Sequence, residues 1–210
     1  ERELYMRTRA LKAFIDSKDF LSVLSTIYHR KELERQKVRY RALLDSFTEY
    51  FPGFDEKDAV LVSSPGRTEL GGNHTDHNNG RVLAASINLD GIGIAVPIPE
   101  KRVELVSVGF SHPFIVDLAE VSPRNSEEGK TEALIRGMAA GLENDSYKTG
   151  GFKAVIQSEV LPGSGLSSSA SLELLIGNIL NELYNDGSIQ RKTIARIGQF
   201  PENEYFRKPC

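Results

Sequence analysis

The segment LPGSGLSSSASLELLI, residues 161–176, limits the fold of this chain more than any other stretch of its sequence. The alternating apolar run FKAVIQSEV precedes it and predicts a strand, and the apolar residues that follow the serines recur at helical spacing. A strand, a turn of small residues and a long helix therefore follow one another directly. The chain must belong to a fold that combines strands with helices.

The small residues of this segment also indicate a binding site. Only glycine lets a backbone pass close to a bulky anion, and the first turn of a helix offers unpaired N–H groups and the positive end of the helix dipole. A plain connector needs one serine cap, whereas here Gly-x-Gly is followed by four hydroxyl side chains in five positions. The pattern favours a phosphate-binding loop. It lacks the lysine of a P-loop, and no frame reads G-x-S-x-G.

The remaining sequence predicts helices first and strands later. Three helical stretches come before residue 53, and Pro52-Gly53 ends the third. AVLVSS, the two runs of RVLAASINLDGIGIAVPI separated by Asp90-Gly91, and the pair KRVELVSVGF and HPFIVDL read as strands. Because strands and helices do not alternate strictly, we expect an α+β fold. Residues 1–53 are interpreted as an N-terminal helical extension and residues 54–210 as the main domain.

A second polar cluster lies in SSPGRTELGGNHTDHNNGRVL, residues 63–83, which reads as one short glycine-rich loop. His74, Asp76 and His77 could bind a metal, although their spacing matches no usual ligand pair. The loop could instead be held by its own hydrogen bonds, or its alternating donors and acceptors could bind the hydroxyls of a sugar. A serine hydrolase that uses Ser168 with His74 and Asp76 is a further alternative.

Charge and composition exclude several classes of protein. With 26 Lys and Arg against 29 Asp and Glu, the formal net charge is −3, so we expect no nucleic-acid partner and no membrane partner. Hydrophobic residues make up 40% of the chain, too many for a disordered protein. The one cysteine, Cys210, excludes a disulfide framework, and the N-terminus lacks the apolar region of a secretory signal. A cytoplasmic location is predicted.

Three motifs resemble those of the GHMP kinases, and of galactokinases in particular. PGRTELGGNHTDHNNG is similar to the galactokinase signature G-R-x-N-x-x-G-E-H-x-D-Y-x-x-G, and LPGSGLSSSA to the second GHMP kinase motif. PENEYFRKPC is similar to the segment that leads to the family's catalytic Asp. The resemblance runs from about Arg39 to Cys210 and keeps the order of the motifs. It implies the GHMP kinase N-terminal domain, a fold like domain 2 of ribosomal protein S5, with helices on one side of a mixed sheet.

This resemblance implies ATP-dependent phosphorylation of the anomeric hydroxyl of galactose, with ATP and Mg²⁺ in the site. Arg67 matches the arginine that stabilises charge on the transferring phosphoryl group. His74 and Asp76 match residues that hold the sugar hydroxyls, while Ser169 and Glu202 match the Mg²⁺ ligands. The residues that match the loop around the ATP phosphates are Gly163, Ser164, Gly165, Leu166, Ser167, Ser168 and Ser169.

Three positions depart from the family's signature. Asn73, the third predicted sugar-binding residue, stands where the family has Glu, while Glu69 replaces the usual Asn and His77 the usual Tyr. An amide donates as well as accepts hydrogen bonds, so the preferred sugar stays open. Since the sequence ends before the family's catalytic Asp, we expect an N-terminal lobe that is inactive alone. The alternative is a sugar- and ATP-binding regulator that acts on a partner protein without turnover.

Overall fold

A computed structural model describes residues 5–72, 80–161 and 163–207 of the chain. The strands are β1 (Tyr5–Arg7), β2 (Asp58–Gly71), β3 (Leu83–Ile98), β4 (Arg102–Ser107), β5 (Phe114–Asp117) and β6 (Gly151–Ser158). The helices are α1 (Thr8–Ile15), α2 (Lys18–Ser25), α3 (Leu33–Tyr50), α4 (Thr131–Asn144), α5 (Ser168–Asn185) and α6 (Arg191–Pro201). A π-helical turn, Glu202–Phe206, follows α6. The three N-terminal helices and the strand–loop–helix order around residue 160 are as predicted.

The strands form one mixed sheet in the order β1-β2-β3-β6-β4-β5. Neighbouring strands are antiparallel, except that β4 and β6 run parallel. A parallel pair needs a crossover connection, and here β5 and α4 supply it. The α+β class with a mixed sheet is confirmed.

One face of the sheet packs against α4, α5 and α6. Alternate residues of β2 and β6 point to this side, as the period of a strand requires. The core on this face contains Val60, Val62, Phe152, Ala154 and Ile156 from the sheet and Met138, Leu142, Ile176, Ile179 and Ile197 from the helices. It positions α5, the helix that follows the predicted phosphate-binding loop.

The N-terminal helices cover the opposite face of the sheet. Leu11, Phe20, Leu24, Leu43 and Phe47 are buried there against Leu61, Ile92, Ile94, Val96 and Val155. β1 adds a short strand beside β2, with Met6 opposite Ala59. Residues 5–53 therefore share a core with the sheet. The boundary between residues 53 and 54 stays a prediction.

Two details of the sequence interpretation are wrong. The segment with Arg67 and Glu69 is not a loop up to that point, because β2 continues to Gly71 and pairs Arg67 with Ser86. The pairing with β3 is irregular after Pro65 and after Glu69, so the residues of β2 do not alternate in a regular pattern that the sequence could show. Asp90-Gly91 does not separate two strands either, since both residues lie inside β3. None of the helices in the described parts of the chain is long and apolar enough to cross a membrane.

Candidate functional site

The strand that carries Arg67 lies directly against the loop before α5. We call residues 161–167 the Gly/Ser loop. The backbone amide of Arg67 donates a hydrogen bond to the carbonyl oxygen of Leu166 at 3.1 Å. One turn into α5, the Ser171 hydroxyl donates to the carbonyl oxygen of Ser64 at 2.9 Å. Two predicted parts of the site, nearly a hundred residues apart, are thereby brought together.

Gly66 permits this close approach. A Cβ atom at position 66 would lie 2.9 Å from the Leu166 carbonyl oxygen and 3.0 Å from Val160 Cγ1. The first distance is shorter than real Cβ contacts, and the oxygen belongs to the backbone and cannot rotate away, while the second is a tight contact. The glycine before Arg67 is therefore needed for the contact itself.

The Gly/Ser loop is open on its outer side. Gly163 and Gly165 are exposed, have φ values of +74° and +75°, and have nothing within 4 Å of the position of a Cβ atom. Ser167 also has a positive φ of 58° and precedes α5, whose first turn has no side-chain cap among the described residues. Its backbone N–H groups thus lie at the helix end where the dipole favours an anion.

Near the predicted metal ligand Glu202 lies a buried glutamate that the sequence analysis missed. Glu173 lies four residues after Ser169 on α5, and is only 2% exposed. Burial, and secondly the negative charge of Glu202, raises the pKa of Glu173 to about 9. Its Oε1 atom has no hydrogen-bond partner in the described parts of the chain. A buried carboxylate pair with an unsatisfied oxygen fits a divalent cation, because Mg²⁺ binds through carboxylate oxygens.

The approach of Glu202 to α5 depends on tight helix packing. At Gly137 of α4, a Cβ atom would lie 2.7 Å from Pro201 Cβ, so the absence of a side chain allows the end of α6 to come close. The π-helical turn then begins at Glu202, which is 4% exposed. The sequence signal that could have pointed to Glu173 is its spacing of four from Ser169, which places both residues on the same face of α5.

The predicted sugar-binding residues Asn73, His74 and Asp76, together with His77, lie outside the described residues. Their predicted roles, and the metal and hydrolase alternatives that use them, stay predictions. Glu69 lies on β2 opposite Ala84. In the described parts of the chain, no group of three or more His, Cys, Asp and Glu side chains could hold a metal ion.

Comparison with protein-family models agrees with this arrangement. A model of the galactokinase galactose-binding signature matches residues 45–97, and a model of the GHMP kinases N terminal domain matches residues 133–210. The two matches together span more than half of the chain. They contain the two segments that meet at Arg67 and Leu166.

Known proteins agree as well. A galactokinase from Lactococcus lactis subsp. lactis is 38% identical over 168 residues, which is 79% of this chain and 41% of that protein. The crystal structure of Lactococcus lactis galactokinase complexed with galactose matches 81% of this chain and 44% of that one, with 36% identity and a TM-score of 0.73. Methanococcus jannaschii mevalonate kinase, at 20% identity, matches 69% of this chain and 46% of its own, with a TM-score of 0.58, and shares the fold.

The chain spans about two fifths of the length of the galactokinases that it matches. Within that span, the order of the matched regions and the sheet topology agree with the GHMP kinase N-terminal domain. Since both the sequence matches and the fold point the same way, the chain belongs to the GHMP kinase family and carries the galactokinase galactose-binding signature.

Proposed function

We propose that this chain forms the N-terminal lobe of an ATP-dependent sugar 1-kinase, a galactokinase. The observation that carries the proposal is the hydrogen bond between the Arg67 amide and Leu166, which holds an arginine beside an open glycine loop at a helix N-terminus. Phosphoryl transfer needs a group that holds the nucleotide phosphates and a positive charge near the transferred group. This contact supports the proposal because it brings the backbone of Arg67 against such a loop from a distant part of the sequence.

The phosphate-binding part of the proposal rests on Gly163 to Ser169. The two glycines hold the loop in left-handed backbone conformations, and the first turn of α5 directs its N–H groups outward. Such groups bind the phosphates of ATP without reorganising. Arg67 would stabilise the charge that develops on the phosphoryl group as it leaves ADP.

The metal part of the proposal assigns Mg²⁺ to Ser169 and Glu202, with Glu173 as a third candidate ligand. When bound, Mg²⁺ neutralises charge on the phosphate oxygens. Glu173 and Glu202 support this assignment because two buried carboxyl groups side by side are costly unless one is protonated or a cation lies between them.

The sugar part of the proposal assigns Asn73, His74 and Asp76 to the hydroxyls of galactose. The matched signature and the relative solved with galactose support that sugar. Because positions 69, 73 and 77 differ from the family's signature, the preferred sugar could be a related hexose. Small molecules are thus the expected partners, and the low cysteine content favours the cytoplasm.

Two measurements test the function. Titration calorimetry on this chain measures the affinity for MgATP and for galactose. ATP consumption with a panel of hexoses is then measured on a longer form that includes a C-terminal lobe, with this chain alone as the comparison. Galactose-dependent ATP consumption by the longer form, and none by this chain, is expected. Binding of sugar and ATP without turnover would favour the regulator. Because a regulator and a kinase would share the same binding site, turnover is the measurement that separates them.

A further inference from the structure

Asp90 is an acidic residue in a part of β3 that is otherwise apolar. It lies opposite Pro65 of β2, two residues before Arg67. Its carbonyl oxygen accepts a hydrogen bond of 2.9 Å from the amide of Glu159, the residue after β6. Asp90 is therefore next to the starting points of both segments of the candidate site: the stretch that leads to Arg67 and the stretch that leads to the Gly/Ser loop.

Arg39 of α3 binds Asp90 and the neighbouring end of β6 from the face of the sheet that the N-terminal helices cover. Its Nη1 atom lies 2.5 Å from Asp90 Oδ1, and its Nη2 atom donates to the carbonyl oxygens of Asp90 at 2.8 Å and of Gln157 at 3.1 Å. The Arg39 side chain is 5% exposed. One planar guanidinium thus holds acceptors on two neighbouring strands, a geometry that a lysine cannot reproduce.

Further donors complete the network around Asp90. Its Oδ2 atom accepts hydrogen bonds from the hydroxyl of Tyr28, which follows α2, and from Ser63 Oγ at 2.5 Å. Burial, and then the charge of Asp90, raises the pKa of Tyr28 to about 12, so this hydroxyl remains a donor. Glu159 also pairs with Arg35 of α3. The network therefore links residues of the N-terminal helices to β2, β3 and the end of β6.

Beyond this network, the two segments converge. From β2, the chain passes through Ser64 and Gly66, which contact Ser171 and Val160 respectively, to Arg67. From β6, it passes from Glu159 into the Gly/Ser loop. The two segments are thus held together at two points. Asp90 links them where they begin, and the Arg67–Leu166 hydrogen bond links them at the candidate site.

We propose that Arg39, acting through Asp90, is a positioning residue that holds the Arg67 segment and the Gly/Ser loop at the spacing needed for phosphoryl transfer. The role in phosphoryl transfer rests on the proposed kinase function, whereas the effect of Arg39 on the spacing of the two segments does not. The N-terminal helices would then contribute to the site without touching substrate. A merely structural ion pair would act on the stability of the whole chain, and a positioning pair acts on these two segments first.

The test replaces Arg39 by lysine, which keeps the charge and loses the planar arrangement of donors. Arg41→Lys is the matched control, since Arg41 lies on the same helix and pairs with Asp16 of the turn after α1. Hydrogen exchange followed by mass spectrometry reports on residues 63–68 and 159–170, and calorimetry reports on MgATP affinity. In Arg39→Lys we expect faster exchange in these two segments, unchanged exchange in α4, and MgATP affinity weaker by about three- to thirtyfold. Arg41→Lys should leave all three unchanged.

Tyr28→Phe is the second variant, because it removes one hydrogen bond to Asp90 and no charge, so folding is retained if Arg39→Lys proves too damaging. It should change exchange in the same two segments by a smaller amount. Unchanged exchange there in a folded variant, or an equal increase throughout the chain, overturns the inference. If the parent chain binds no MgATP, the exchange pattern alone decides the role of Arg39, and ATP consumption by the longer form decides the proposed function.

Discussion

At Gly66, a single hydrogen atom in place of a side chain lets β2 pass over the Gly/Ser loop. Gly66→Ala would place a methyl group 2.9 Å from a backbone oxygen. We expect the free energy of unfolding in urea to fall by about 1–3 kcal/mol, because the strand or the loop must shift. Gly91→Ala is the control, since its Cβ atom would meet only ordinary contacts at 3.7 Å and beyond. Equal stability of the two variants would contradict the close approach.

Arg67 acts through its charge if the proposed function is correct. In a longer, active form of the protein, Arg67→Met should lower kcat by about 10²- to 10³-fold, because the lost charge acts mainly in the transition state. The dissociation constant for the sugar, measured by calorimetry, should change little. Arg102→Met, at an exposed arginine that pairs with Glu104, provides the control. A collapse of sugar binding would instead make Arg67 a substrate contact.

Glu173 makes stability depend on pH. In the folded chain the Glu173 carboxyl group has a pKa of about 9, whereas in the unfolded chain it has the ordinary pKa of 4.5. The stability that the protonated form contributes is therefore complete below pH 4.5 and is lost progressively as the pH rises toward 9. In EDTA, Glu173→Gln should be more stable than the parent at pH 8, with a difference that grows from pH 5 upward. Glu204→Gln, an exposed neighbour of Glu202, should show no such trend.

At the scale of single elements, α2 provides a test of helix capping. The Ser17 hydroxyl accepts a hydrogen bond from the Phe20 amide at 3.1 Å and so satisfies one of the free N–H groups of the first turn. Ser17→Ala should lower the free energy of unfolding by about 1 kcal/mol. Ser25→Ala, at the exposed end of the same helix, should change it by less than about 0.5 kcal/mol. Both are measured by urea denaturation, and a reversed order would show that the cap is not formed.

Most elements were predictable because their signals are local. α5 and β6 show clear helical and strand periods, and the Gly/Ser loop between them has the composition of a phosphate-binding turn. β1 has three residues, too few for a period to be visible. The extension of β2 to Gly71 depends on pairing with β3 across two irregularities, which no local pattern contains.

Parts of the site were hidden for a different reason. Arg39 lies among many charged residues of α3, where an arginine is ordinarily solvated, and its partner Asp90 is 51 residues away. Glu173 likewise looks like an exposed helical glutamate until the position of Glu202 is known. Motifs therefore predicted candidate phosphate-binding residues, but long-range contacts were needed to find Arg39 and Glu173.

At the scale of the whole molecule, the sheet is covered on both faces and the N-terminal helices form half of that cover. A chain of residues 54–210 would expose Leu61, Ile92, Ile94, Val96 and Val155 to water. We expect this shortened chain to aggregate, or to bind the dye ANS and unfold without a cooperative transition, because an exposed apolar face of this size is not stable. A monomeric piece with a sharp thermal transition would instead show that residues 54–210 fold independently.

The acidic side chain in β3 has a consequence for how the strand finds its neighbours during folding. From Asp90 to Ile98 the strand is buried almost throughout, so a slip by one residue would still place apolar groups on both sides, and hydrophobicity alone could not reject it. A slip would, however, turn the Asp90 carboxylate away from the Arg39 guanidinium, and the buried ion pair between them would be broken. The ion pair thus opposes a one-residue slip, because correct strand pairing places Asp90 within reach of Arg39.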